Sequence, residues 1–124
     1  MAKYVDGFVL PVPKKNVASY QKMAEMGKKI WLKYGALDYI EAVGDDLNPK
    51  SMGVKVLTFP KMAKVKAGET VVFSFIVYKS RSHRDEVNAK VIKEMMSDPK
   101  NKDMAMPFDM KRMAYGGFKA IVEK

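Results

Sequence analysis

The sequence predicts an α+β fold: one antiparallel sheet with two helices packed on one of its faces. Three observations carry this. Strand-like and helix-like runs follow one another in the order strand, helix, strand, strand, helix, strand. Apolar residues switch between a two-residue and a helical period at boundaries marked by proline, glycine or serine. Apolar residues make up 48% of the 124-residue chain, enough for one packed core and a single domain over residues 1–124.

Residues 4–10, Tyr-Val-Asp-Gly-Phe-Val-Leu, read as the first strand, which Pro11 and Pro13 are expected to stop. A helix follows, from Lys14 or Asn16 to Tyr34. Its residues Val17, Tyr20, Met23, Ala24, Ile30, Trp31 and Tyr34 recur at the helical period, and Gly35 is a natural C-terminal stop. Residues 36–43 form a second strand. Residues 44–69 are less regular. Val54 to Phe59 fits a strand extension, and Pro60 with the lysines after it fits a loop or a short helix. Residues 70–78, Thr-Val-Val-Phe-Ser-Phe-Ile-Val-Tyr, are the strongest strand in the chain. The second helix begins near Ser80 or Ser82, with Ser82 and Asp85 at capping-box spacing. It ends near Met96, before Ser97-Asp98-Pro99. A polar, methionine-containing loop leads to the last strand, Met113 to Val122.

This order is that of a ferredoxin-like βαββαβ antiparallel sheet with both helices on one face. In the strand 71–78, Val71, Phe73, Phe75 and Val77 point one way, and Val72, Ser74, Ile76 and Tyr78 the other. Both sets are largely apolar, whereas a sheet with one wet face alternates more cleanly. The face away from the helices is therefore expected to be covered, most simply by a second copy of the chain.

The chain has no cysteine, which removes disulfides, thiolate metal sites and cysteine nucleophiles and fits a cytoplasmic location. The N-terminal residues lack a signal-peptide apolar run, because Asp6, Pro11, Pro13, Lys14 and Lys15 interrupt it. No apolar stretch approaches the ~20 residues that span a bilayer, so no membrane partner is expected. The net charge is +9, with the excess in residues 1–34 and 61–79. Such a balance attracts polyanions; solvated lysines that maintain solubility are the simpler reading. Six of the eleven methionines fall between Met95 and Met113. They are expected to fill the core, with an adaptable pocket lining as the sharper alternative.

Several motifs together resemble a known family. They are Tyr4-Val5-Asp6-Gly7-Phe8-Val9, Tyr34-Gly35-Ala36-Leu37, Glu69 to Ile76, Arg84-Asp85, Asp98-Pro99, Met106-Pro107-Phe108-Asp109, and Lys111-Arg112-Met113 through Gly116-Gly117-Phe118. In this order they resemble the bacterial YbaA-like family, known as a domain of unknown function, across nearly the whole chain. The resemblance implies membership of the dimeric α/β-barrel superfamily, in which two ferredoxin-like sheets close a barrel. That superfamily includes small monooxygenases, haem enzymes and stress proteins, so it implies a fold and a homodimer but no chemistry. Residues 44–69 match the family only loosely.

Three groups of residues are candidates for a site. Arg84 and Asn88 fall within about 60° of the apolar stripe Val87, Val91 and Met95. A cation on a core-facing stripe needs a partner, for which Asp85 is the plainest choice. Asp6 and Glu41 are strand acids that are costly inside unless paired. With Arg84, Lys111 or Arg112 they would form a polar cluster beside an apolar cavity; exposed edges or a dimer salt bridge are the plainer alternative. Asp109, Lys111, Arg112 and Tyr115 would supply a base, an anion clamp and an orienting hydroxyl. Gly116-Gly117 is expected to mark a bulge at the sheet edge. His83, the only histidine, is read as an exposed first-turn residue, which leaves no three-histidine metal site and no serine–histidine–acid arrangement. No metal and no cofactor is expected.

The functional expectation is a small-molecule-binding protein, or a cofactor-free enzyme, with Asp6, Glu41, Arg84, Asn88, Asp109, Arg112 and Tyr115 around a cavity of a dimeric α/β barrel. The alternative is a non-catalytic module that binds RNA or another protein. Phe73 to Tyr78 resembles part of the aromatic strand of the RNA-recognition motif. Val71-Val72 replaces the basic residue and glycine that precede that strand, however, and the first strand lacks the Asn-Leu ending.

Overall fold

Strand β1 (Tyr4–Pro13) and strand β3 (Glu69–Tyr78) form the centre of the sheet, antiparallel along their whole length from Tyr4 opposite Tyr78 to Pro13 opposite Glu69. Strand β2 (Asp38–Val43) pairs with β3 on one side, and β4 (Ala114–Lys119) pairs with β1 on the other. The order β2-β3-β1-β4, antiparallel throughout, is that of the ferredoxin-like sheet. Helices α1 (Val17–Lys33) and α3 (Arg81–Ser97) are the crossovers, and a one-turn helix, α2 (Phe59–Met62), precedes β3. The computed structural model describes residues 2–50, 53–101 and 105–124. Residues 51–52 of the irregular stretch and 102–104 of the methionine-containing loop lie outside them. No described helix is long and apolar enough to cross a membrane.

Several local expectations change. β1 runs on through Pro11 and Pro13 instead of stopping before them. β4 pairs only as far as Val9, so the outer side of β1 is free beyond that point. A proline can sit there without losing a ladder hydrogen bond. Residues 54–58 join no strand, and the prolyl turn after them is the short helix α2, capped by Thr58. The cap of α3 is Ser80, whose hydroxyl accepts from the His83 N–H; Ser82 is already in the helix. His83 is half-buried, its Nδ1 accepting from the Lys79 N–H at 3.0 Å. β4 is shorter than expected and has no bulge: Gly116 and Gly117 stand in register with Gly7 and Asp6.

The register sorts the strand residues between two faces. Tyr4, Asp6, Phe8, Leu10 and Val12 of β1 lie with Val72, Ser74, Ile76 and Tyr78 of β3 under the helices. Two buried clusters form there. Leu10, Val12 and Val72 pack with Tyr20 and Ala24 of α1, and Ile76 and Tyr78 pack with Ala36 and with Val87 and Val91 of α3. The opposite face carries Val5, Gly7 and Val9, Phe73, Phe75 and Val77, Ile40, and Phe118. Neither α1 nor α3 covers it; Phe59 of α2 packs edge-on against Phe73 at 6.1 Å between ring centres, and Phe73 and Phe118 are still 43% and 62% exposed. The sheet of one chain is open, with β2 and β4 as edges; it is not closed into a barrel. The methionines divide: Met23, Met95 and Met113 pack against the core, whereas Met26, Met62, Met96, Met106 and Met110 are exposed.

Candidate functional site

The seven candidate residues separate into three places. Asp6, Arg84, Asn88 and Tyr115 come together under α3. Asp6 projects from β1 toward the helices and is 1% exposed. Arg84, in the first turn of α3, donates from Nη1 to Asp6 Oδ1 at 2.7 Å and to the Tyr115 hydroxyl at 3.0 Å. Its Nε donates to Asp85 Oδ1 at 2.7 Å. One turn on, Asn88 donates to Asp6 Oδ2 at 3.3 Å. The Asn88 oxygen in turn accepts from Trp31 Nε1 and from the Tyr78 hydroxyl, both at 3.0 Å. The guanidinium also lies 4.9 Å from the ring centre of Tyr4. Gly117 makes that placement possible, because a Cβ there would come within 2.6 Å of the Tyr4 ring.

This cluster is closed. Among the described residues no buried side-chain nitrogen or oxygen lacks a hydrogen-bond partner. Both Asp6 oxygens and the Asn88 oxygen are committed to neighbours, which suits a structural network better than a ligand site.

Arg112 and Asp109 are elsewhere. Arg112 clamps Glu69 at the start of β3, with Nη1–Oε2 at 2.6 Å and Nη2–Oε1 at 2.9 Å, and also donates to the Lys64 carbonyl. This bidentate pair, aided by the Lys66 N–H, holds the Glu69 carboxyl down to about 2. Asp109 accepts from the Lys111 N–H and caps the 3-10 turn Met110–Arg112. Neither residue approaches Asp6, and Lys111 takes no part in the Asp6 network.

Glu41 is the third place, and it is open. β2 alternation puts Tyr39, Glu41 and Val43 on the helix side of the sheet edge. Tyr39 donates to Glu41 Oε2 and Tyr20, from α1, donates to Oε1, each at 2.7 Å. A cleft of about 430 Å³ lies between α1 and β2 beside this carboxylate. Val17, Ala24, Val43 and Val72 give it apolar walls, and Gln21, Glu25 and Lys28 line it as well. Lys28 pairs with Glu25 at 3.1 Å. Burial, then the bond to Glu41, pushes the Tyr20 and Tyr39 hydroxyls above the usual phenol range, so both remain neutral donors at physiological pH.

Sequence reasoning found Glu41 but missed its two tyrosines. Tyr20 stands in the apolar stripe of α1 and reads as core, which its ring is. Tyr39 carried a usable signal, since two residues apart in a strand share a face. Gly27 was also missed. A Cβ on it would come within 3.1 Å of the Tyr39 hydroxyl, so its bare backbone leaves that hydroxyl room to reach Glu41.

Comparison with known proteins places this geometry in context. The family described as "Protein of unknown function (DUF1428)" matches residues 3–110. The protein named uncharacterized protein YbaA from Escherichia coli strain K12 is 42% identical over 124 residues, covering 98% of this chain and 99% of its own. The protein of the same name from Shigella flexneri shows the same identity and coverage. Among solved structures, a dimeric ferredoxin-like protein from an uncultured marine organism superposes with a TM-score of 0.63 over the whole of both chains at 10% identity, a likeness of fold alone. The chain belongs to the DUF1428 family of proteins of unknown function, the YbaA-like proteins that its motifs resemble.

Proposed function

We propose that this single-domain protein is a cytoplasmic homodimer that binds a small molecule in the cleft between α1 and β2. The observation that carries this reading is the cleft itself: an apolar-walled space of about 430 Å³ at whose edge two tyrosine hydroxyls hold the Glu41 carboxylate. Its volume lies in the range of small-molecule sites, as does its build of mostly apolar walls with few polar groups. Glu41 is the group that a cofactor-free reaction in this cleft would use as its base. The absence of cysteine supports the cytoplasmic assignment. The dimer draws support from the uncovered apolar sheet face and from the solved neighbour described as dimeric; two such sheets facing one another would complete an α/β barrel.

A metabolite library screened by native mass spectrometry tests the site. Ligands are expected to bind the wild type and to be lost in Val43→Trp, which fills the cleft from an edge position that is 51% exposed and outside the core. Ligands retained by Val43→Trp, or none in the library, would count against it. The RNA or protein-interaction reading rests on the partly exposed Phe73 and Phe75. The strands around them present no lysine or arginine on that face, so stacked bases would lack the cations that usually follow the backbone.

A further inference from the structure

The chemistry at the edge of the cleft points to the class of compound it takes. Glu41 offers about four acceptor sites on its two oxygens. Tyr20 fills one site on Oε1 and Tyr39 one on Oε2. Both donors are neutral, and no ion pair involving Glu41 occurs among the described residues. The other half-buried acid of the sheet shows the contrast. Glu69 has Arg112 across two hydrogen bonds, and buried Asp6 has Arg84. Glu41 alone of the three faces a space large enough for a ligand and has no cation. Lys28, the one cation lining the cleft among the described residues, is paired with Glu25. Glu41, Glu25 and Lys28 therefore leave the cleft with a net negative charge, within a protein whose net charge is +9. A half-buried carboxylate beside apolar walls is stabilised most by a partner that is both charged and a donor.

We propose that the cleft selects a small ammonium compound, with a primary or secondary amine bound to Glu41 and an apolar body against Ala24, Val43 and Val72. The inference rests on the cleft being the ligand site and adds the sign of the ligand's charge. The tyrosines position the carboxylate: each holds one oxygen, which leaves the remaining lone pairs for the ammonium. Glu41 here binds and orients its ligand, and no reaction step is required of it.

The test uses three probes of one shape, benzylammonium, benzyl alcohol and benzoate, titrated into isotopically labelled wild-type protein at neutral pH. Amide and methyl NMR signals of Ala24, Glu41 and Val43 report binding in the cleft. Benzylammonium is expected to bind roughly tenfold more tightly than benzyl alcohol, the worth of one charge-assisted hydrogen bond, and benzoate more weakly than either. Glu41→Gln keeps the side-chain shape and is expected to lose that tenfold preference. If Glu41→Gln fails to fold, the order of the three probes on the wild type still decides the matter. Benzyl alcohol or benzoate binding in the cleft as tightly as benzylammonium overturns the inference while leaving the cleft as a ligand site. A preference for benzylammonium that persists in Glu41→Gln overturns it as well, as does the failure of all three probes to shift the cleft signals. In that last case the library screen with Val43→Trp decides separately whether the cleft binds other compounds.

Discussion

Asp6 and Arg84 show what a buried charge pair does in this protein. Asp6 is 1% exposed and the Arg84 side chain 13%, so neither can turn to water without moving α3. Arg84→Met removes the cation bonded to the buried Asp6 carboxylate, and such a loss costs about 3–5 kcal/mol. The prediction is a large drop in urea midpoint for Arg84→Met and recovery of most of it in Asp6→Asn/Arg84→Met, where no buried charge is left unpaired. If the double variant is as unstable as the single one, the pair is not what holds α3 to β1. Glu69 and Arg112 make a pH-dependent version of the same point. The Glu69 carboxyl lies at about 2 in the folded protein against 4.5 for the free group, chiefly because Arg112 bonds it. A lowered carboxyl pKa stabilises the fold above pH 4.5, and that contribution is lost as pH falls from 4.5 toward 2. Arg112→Gln should therefore narrow the stability difference between pH 6 and pH 3. An acid unfolding curve identical to that of the wild type would contradict the assignment.

At the level of elements, the helices and central strands were legible in the sequence because their period and their stops agree. The strand 70–78, the helix ended by Gly35, and the placement of Arg84 and Asn88 on a core-facing stripe all survive in the structure. Asp6 meeting Arg84 was legible too, since a strand acid and a stripe cation both need partners. Which acids would share a place was not legible. Asp6 and Glu41 read alike as strand acids, and only the order β2-β3-β1-β4 puts β3 between them. The prolines misled because proline stops a strand only where its neighbour needs the missing N–H, and pairing on one side alone cannot be read locally. The glycines misled in another way. Gly117 is small to make room for Tyr4, a Cβ on Gly116 would meet Phe118 at ordinary contact distance, and neither bends the strand. Gly27 extends that lesson to the packing of α1 on β2. Gly27→Ala should gain up to about 1 kcal/mol of helix propensity, while its Cβ presses the Tyr39 hydroxyl by a few tenths of an ångström. That hydroxyl borders open cleft and can yield. The expected outcome is an unchanged or higher melting temperature, together with a shifted Tyr39 ring signal and weaker binding of any cleft ligand. A melting temperature several degrees lower would mean that Tyr39 cannot move and that α1 and β2 are locked together there.

For the whole molecule the decisive feature is the sheet face that α1 and α3 leave bare. Its strand positions carry Val5, Val9, Ile40, Phe73, Phe75, Val77 and Phe118, and the one basic residue of the four strands, Lys119, lies on the other face opposite Tyr4. A contiguous apolar surface of this kind marks an interface. The absence of cations within it favours a protein partner over a polyanion. A second copy presents the same surface, and a two-fold contact makes each face its own complement. Phe118 marks the centre of such a contact on β4: its ring lies over Gly7 and Gly116, 3.4 and 3.6 Å from where their Cβ atoms would be, and has no covering residue above it at 62% exposure. Light scattering at micromolar concentration should therefore report twice the chain's 14.0 kDa. Phe118→Asp and Phe73→Glu both place an acid on that face and should shift the mass toward one chain. Because a dimer's stability depends on its concentration, the melting temperature of the wild type should rise with protein concentration, and that of Phe118→Asp should not. Salt separates this outcome from RNA binding: burial of apolar area keeps the dimer intact as salt rises, whereas a polyanion complex dissociates steeply. A wild type that stays at one chain mass with a concentration-independent melting temperature would leave the bare face to another partner and remove the basis for a barrel.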